Sequence, residues 1–185
     1  YSNGWLPIDT YTKEIDKHHS QDLQYDWEGL RKDVLKHGVR FSVLEAFMPC
    51  ESSSVLSNST NGLQPVRSLQ TFKQSKKGLV FTQVPNIVEH GHSYQLAWDI
   101  DSIDLAKIYG IIQKFAGQGI SADFYHDFSV NKSISASDMI KLMLFSSKIG
   151  IKTWYYLNFK VTSDAKTAES IGGISDEDNC ESCKL

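Results

Sequence analysis

The sequence lacks any apolar run approaching the ~20 residues that a membrane-spanning helix needs. It also opens without the charged, apolar and small-residue series of a secretory signal. A soluble, cytoplasmic setting with no membrane contact is therefore expected. A basic excess is missing too: 19 Lys and Arg face 22 Asp and Glu, a net charge of -3. That balance offers a phosphate backbone no attraction and argues against direct nucleic acid binding. Cysteine is sparse, with three in 185 residues, too few for a four-cysteine zinc site. Nor is there an initiating methionine. The chain starts at Tyr1, and Gly4-Trp5-Leu6-Pro7 reads as the interior of a folded protein, so a piece of something longer is expected.

What is present suits an α/β unit. At 41% hydrophobic and 22% charged residues, the chain can bury one core or contribute to a larger one. Its organising stretch runs from Gly38 to Gly62. Val39, Phe41 and Val43 alternate with Arg40 and Ser42 before Leu44, Ala46, Phe47 and Met48 break the period, the pattern of a strand that becomes buried on both faces. Pro49 and Cys50 then turn the chain, and Glu51-Ser52-Ser53-Ser54 can open a short helix with a serine as its N-cap. The same hydroxyls and free amides can bind a phosphate or diphosphate. Glu51, repelled by an anion, would then hydrogen-bond at the ligand's edge. Taken alone, the residues leave both roles open.

Around this stretch the pattern predicts a short helix from Asp9 or Thr10 to Lys17 and a second from Trp27 to His37, capped by Asp26 and stopped by Gly38. Leu69 to Phe72 and Leu79 to Val84 flank a turn and read as a hairpin. His90 and His92 could belong to a metal site or lie on the surface. No other ligand cluster accompanies them, so no metal site is expected. Leu105, Ile108, Tyr109, Ile112 and Phe115 recur at helical spacing, with Gly119 to end the helix, and Ile120 to Tyr125 reads as a strand. Ser137 can cap a further helix with Met139, Ile140, Met143 and Leu144 as its apolar stripe, and Ile151 to Asn158 reads as a strand. Strand, helix and strand in that order predict a parallel crossover.

The last strand holds Trp154-Tyr155-Tyr156. Adjacent strand residues point to opposite faces, so two rings on one side require the strand to bend or end there. Aromatics favour strands; two contiguous phenols can also carry an electron and a proton in turn. Beyond Phe159 apolar residues almost vanish, the composition of a flexible tail. That tail ends Cys180-Glu181-Ser182-Cys183-Lys184-Leu185, a spacing that suits thiol exchange better than half a zinc site. As a flexible coil the segment from Asn158 to Cys180 reaches about 26 Å, enough to carry a dithiol to a neighbouring site.

Three features occur in order: MPCESSSVLSNSTNG, GIKTWYYLN and the acidic tail ending CESCKL. Together with GWLPIDTY, YDWEGLR, HGVR and QKFAGQGISA, they closely resemble the C-terminal part of the large, catalytic chain of class I ribonucleoside-diphosphate reductase. The resemblance implies an α/β fold in which residues 1–158 form the C-terminal part of a ten-stranded α/β barrel and residues 159–185 a redox-active tail. It implies a share in reducing ribonucleoside diphosphates to deoxyribonucleoside diphosphates for DNA synthesis. Glu51, Ser52 and Ser53 match the loop that binds the substrate's diphosphate and ribose side. Tyr155 and Tyr156 match the pair that relays a radical from the small subunit to the active-site thiol. Cys180 and Cys183 match the tail dithiol that reduces the active-site disulfide and is itself reduced by thioredoxin or glutaredoxin.

The resemblance further implies that this chain carries no cofactor, the family's diiron-tyrosyl radical centre lying in the small subunit. The helix from Ser137 resembles the region that helps dock the small subunit's C-terminal peptide. Two departures stand out: Cys50 where relatives commonly have Ser or Thr, and a C-x-x-C tail where some bacterial relatives have a longer interval. The family's reaction also needs a radical cysteine and a separate redox pair, yet all three cysteines here are assigned. The chain is therefore expected to be inactive without the remaining N-terminal portion of the large chain and the small subunit, as a fragment or a split gene product. The competing expectation is a non-catalytic remnant that binds the small subunit or a thioredoxin-type protein.

Overall fold

A carboxylate or a serine side chain closes the first turn of several helices. The structure, a computed structural model, describes residues 1–19, 22–75, 78–130 and 133–161. Helix α1 (Pro7–Thr10) opens with proline at its first turn, and Asp9 reaches back to accept a hydrogen bond from the Leu6 amide at 2.7 Å. The expected helix from Asp9 or Thr10 to Lys17 is thus two pieces, α1 and a 3-10 turn at Lys13–Lys17, because Asp9 closes a turn already under way rather than starting one. Helix α2 (Trp27–His37) runs as expected: Asp26 accepts from the Gly29 amide at 2.8 Å, and Gly38 ends it at φ 73°. Arg31 of α2 pairs both its terminal nitrogens with Asp9, at 2.7 and 2.8 Å, tying the two helices together.

The strand expected over Val39 to Met48 does not form: among the described residues this segment joins no ladder. A strand exists only with an edge to pair against. Here one backbone bond, from the Ser121 amide to the Phe47 carbonyl at 2.9 Å, is what the segment finds, and Phe41, Leu44 and Met48 stay exposed. Helix α3 (Glu51–Leu56) follows, and then the expected hairpin of β1 (Gln70–Ser75) and β2 (Gly78–Gln83), with Phe72 opposite Phe81 and their rings 5.0 Å apart. Helix α4 (Ile87–His90) ends at His90, and His92 lies in the 3-10 turn after it.

The core gathers on α5 (Ser102–Phe115). Asp101 caps it, accepting from the Ile103 and Asp104 amides, and Leu105, Ala106, Tyr109 and Gln113 form its buried face. It stops at Phe115, short of Gly119, because the Gln113 side chain folds over its end and donates to the Ala116 and Gln118 carbonyls. Strand β3 (Ala122–Asp127) leads to α6 (Ala136–Lys148), capped by Ser135, and then to β4 (Trp154–Lys160), which pairs with β3 in parallel. Parallel pairing confirms the crossover order. Tyr109, Phe124, Ile120, Ile149 and Ile15 are wholly buried between these elements, each such side chain contributing ~1.5–3 kcal/mol of transfer energy.

The apolar stripe of α6 is not the one expected. Leu142 and Ser146 face the core with Phe145 beside them, while Ile140, Met143 and Leu144 stand exposed. The core takes the narrow face nearest α5 and leaves the other apolar positions outside. The two sheets of two strands close no barrel among the described residues. No helix among the described residues is long and apolar enough to cross a membrane.

Candidate functional site

The parallel ladder of β3 and β4 carries an irregularity at its N-terminal end. Ala122 pairs with Trp154, but Phe124 pairs with Leu157, so Tyr155 and Tyr156 stand opposite the single residue Asp123. That is a β-bulge: one extra residue in β4, with the strand bent around it. Both tyrosines project from the bend, half exposed, with ring centroids 4.2 Å apart and planes tilted by 55°. For two neighbouring rings to share a side the strand had to bend or end there; it continues, and the bulge supplies the bend.

Asp123 has no motif to single it out; its signal is a carboxylate within a run that otherwise buries. It is 4% exposed, and its Oδ1 accepts from the Tyr156 amide at 3.2 Å. Two other phenols lie near it. Tyr109, fully buried, donates to the Asp123 carbonyl at 3.0 Å, and burial raises its pKa. Burial, with the Asp123 charge added, pushes Tyr125 up to about 12. These two therefore hold their protons firmly.

At the other candidate position, the N-cap of α3 is Cys50 and no side chain caps the helix, where a serine was expected. The Cys50 carbonyl accepts from the Ser53 and Ser54 amides at 2.8 and 3.2 Å, its amide donates to Asn61 at 2.7 Å, and its thiol lies exposed near the Met48 carbonyl. The serines instead brace the loop behind the helix. The Ser57 hydroxyl contacts the Ser53 carbonyl and the Ser59 hydroxyl, and the Ser59 amide donates to the Ser54 carbonyl. Ser52 and Ser53 remain exposed in the first turn. Glu51 opens the same turn.

Ser121 connects the two positions. Its amide donates to Phe47, before the loop, and its carbonyl accepts from Gln64 Nε2 at 2.6 Å, after it. Asp123 stands two residues further on, about 7 Å along a strand. The segments flanking the loop are thus tied to the residue just before β3, at the end of the parallel pair that carries the tyrosine bulge, while Val161 follows the opposite end of β4. Strand β4 continues to Lys160, two residues past the expected boundary at Asn158. Cys180 and Cys183 lie outside the described residues. Among the described residues no group of three or more His, Cys, Asp or Glu side chains could hold a metal ion. Two surface concavities of about 260 and 220 Å3 contain none of the candidate residues.

The ribonucleotide reductase barrel domain matches residues 1–157. This chain belongs to that family. Among curated ribonucleotide reductases, subunit alpha of ribonucleoside-diphosphate reductase 1 from Escherichia coli (strain K12) is 40% identical over 191 residues, covering all of this chain and 25% of the relative. Ribonucleoside-diphosphate reductase subunit alpha of Enterobacteria phage T4 is 37% identical over 191 residues with the same coverage. The chain therefore spans about a quarter of the length of these relatives. A solved structure, the class Id ribonucleotide reductase alpha subunit of Actinobacillus ureae, matches with a TM-score of 0.52 at 16% identity, covering 82% of this chain and 31% of that chain. It supports the barrel-domain fold.

Proposed function

We propose that this chain is the C-terminal portion of a ribonucleoside-diphosphate reductase large chain and joins the remaining portion and the small subunit to reduce ribonucleoside diphosphates. The observation that carries the reading is the Tyr155–Tyr156 pair: two phenols in van der Waals range, on a bulge, each half exposed. A hole arriving from the small subunit converts one phenol to a phenoxyl by removing an electron and a proton. The neighbouring phenol then supplies both, so the first ring is restored and the hole moves on with no net consumption. Rings 4.2 Å apart give that exchange its electronic contact, and half exposure lets protons leave and return.

Glu51, Ser52 and Ser53 take the diphosphate and the ribose side of the substrate. Support comes from the exposed Ser52 and Ser53 in the first turn of α3 and from the shared anchor at Ser121. Cys180 and Cys183 form the tail dithiol: two thiols become one disulfide as two electrons and two protons pass to the spent disulfide of the active site. Thioredoxin or glutaredoxin then reduces the tail. The exposed Ile140, Met143 and Leu144 of α6 offer an apolar surface for the small subunit's C-terminal peptide. The residues of this chain hold, relay and renew; the radical cysteine that acts on the sugar comes from the remaining portion.

The test is Tyr156→Phe in the assembled enzyme. A phenyl ring fills the same space but has no proton to exchange, so turnover falls to background while ribonucleoside diphosphate binding is unchanged. Turnover retained in this variant overturns the relay.

A further inference from the structure

We infer that Asp123 is a positioning residue for the tyrosine pair: its carboxylate holds the bulge of β4 that brings the Tyr155 and Tyr156 rings to one side of the strand. The functional consequence rests on the relay proposed above; the geometric claim stands without it.

In a regular parallel ladder neighbouring side chains alternate faces, and Tyr155 and Tyr156 would point apart. The extra residue in β4 prevents that, but it leaves a backbone amide without a place in the ladder. Asp123 answers this need, because its Oδ1 accepts from the Tyr156 amide at 3.2 Å. The acceptor is itself fixed. Asp123 is 4% exposed, and its carbonyl receives the Tyr109 hydroxyl at 3.0 Å from the core side of α5.

The bulge is also bracketed. Ala122 pairs with Trp154 before it, and after it the register runs without interruption from Phe124 and Leu157 to Asp127 and Lys160. Asn158 Nδ2 donates to the Phe124 carbonyl at 3.3 Å, and the rings of Phe124 and Trp154 meet at 4.4 Å across the offset. At the bulge a side chain, that of Asp123, accepts from a backbone amide of β4. Removing the acceptor favours a one-residue slip that restores a regular ladder and separates the rings.

The experiment compares Asp123→Asn with Asp123→Ala, each in the assembled enzyme and each followed by structure determination and by hydrogen exchange at the Tyr156 amide. Asn keeps an Oδ1 acceptor in the same place, so the offset register, the ring contact, amide protection and turnover all persist. Ala loses amide protection and the ring contact, and kcat drops by about tenfold or more with KM for the diphosphate unchanged, since misplacement by about an ångström is enough to cost that much. Should the Ala variant not fold, Asp123→Ser, whose shorter hydroxyl cannot reach the amide, makes the same comparison. An Ala or Ser variant that keeps the offset and the 4.2 Å ring contact overturns the inference, as does an Asn variant that fails as Ala does. Rings that separate while turnover persists uphold the positioning role and sink the relay instead.

Discussion

Asp127 closes the far end of the parallel pair. Its carboxylate, 8% exposed, accepts from Lys160 Nζ at 2.8 Å and from the Ser129 amide and hydroxyl, and these bonds, that from Lys160 first, hold its pKa down to about 2. Asp9 is brought to about 2 as well, chiefly by its paired bonds to Arg31 and then by the Leu6 amide. An unfolded aspartate titrates near ~3.9, so between about pH 4 and pH 2 the unfolded chain binds protons that the folded chain refuses. The stabilisation from both residues is therefore complete above about pH 4 and is lost as pH falls through 2. Thermal unfolding followed by circular dichroism should show a midpoint that falls across this window, and the Asp9→Asn, Asp127→Asn double variant should flatten the fall. An unchanged acid slope in the double variant would contradict the assignment.

Among the elements, Gly38 gives the cleanest backbone test. It ends α2 at φ 73° and ψ -179° with its amide bonded to the Val34 carbonyl at 2.8 Å, and a Cβ there would meet nothing within 4 Å. Any loss in Gly38→Ala therefore reports conformation alone, in a region that side chains rarely enter, and should come to about 1–3 kcal/mol in chemical denaturation. A variant as stable as the parent would refute this. Signals of that local kind made much of the fold legible: Asp26 before Trp27 and Gly38 after His37 mark α2 within the sequence itself. Pairing is not local. Val39 to Met48 has the pattern of a strand, but pattern cannot supply the edge it needs, and the segment stays outside any ladder. The bulge was half legible, because two adjacent rings can share one side only where the strand bends or ends. Which residue would hold that bend depends on register, and so Asp123 stayed hidden until β3 lay beside β4.

At the scale of the molecule, the chain spans about a quarter of the length of its curated relatives, and its surface is consistent with that. Trp5, Phe41, Leu44 and Met48 are each more than half exposed, a set of large apolar side chains that a further portion of the large chain would cover. On the proposed function, the tail pair and Cys50 account for all three cysteines, so the radical thiol that acts on the sugar would have to come from another portion. On that same proposal, loop, tyrosine pair and tail would serve a reaction whose centre the remaining portion supplies. The most direct measurement combines this chain with the remaining large-chain portion, the small subunit and a thioredoxin system, and follows deoxyribonucleoside diphosphate formed from ribonucleoside diphosphate. The account predicts product over many turnovers from the full mixture and none when this chain is left out; no product from the full mixture, or equal product without this chain, would contradict it.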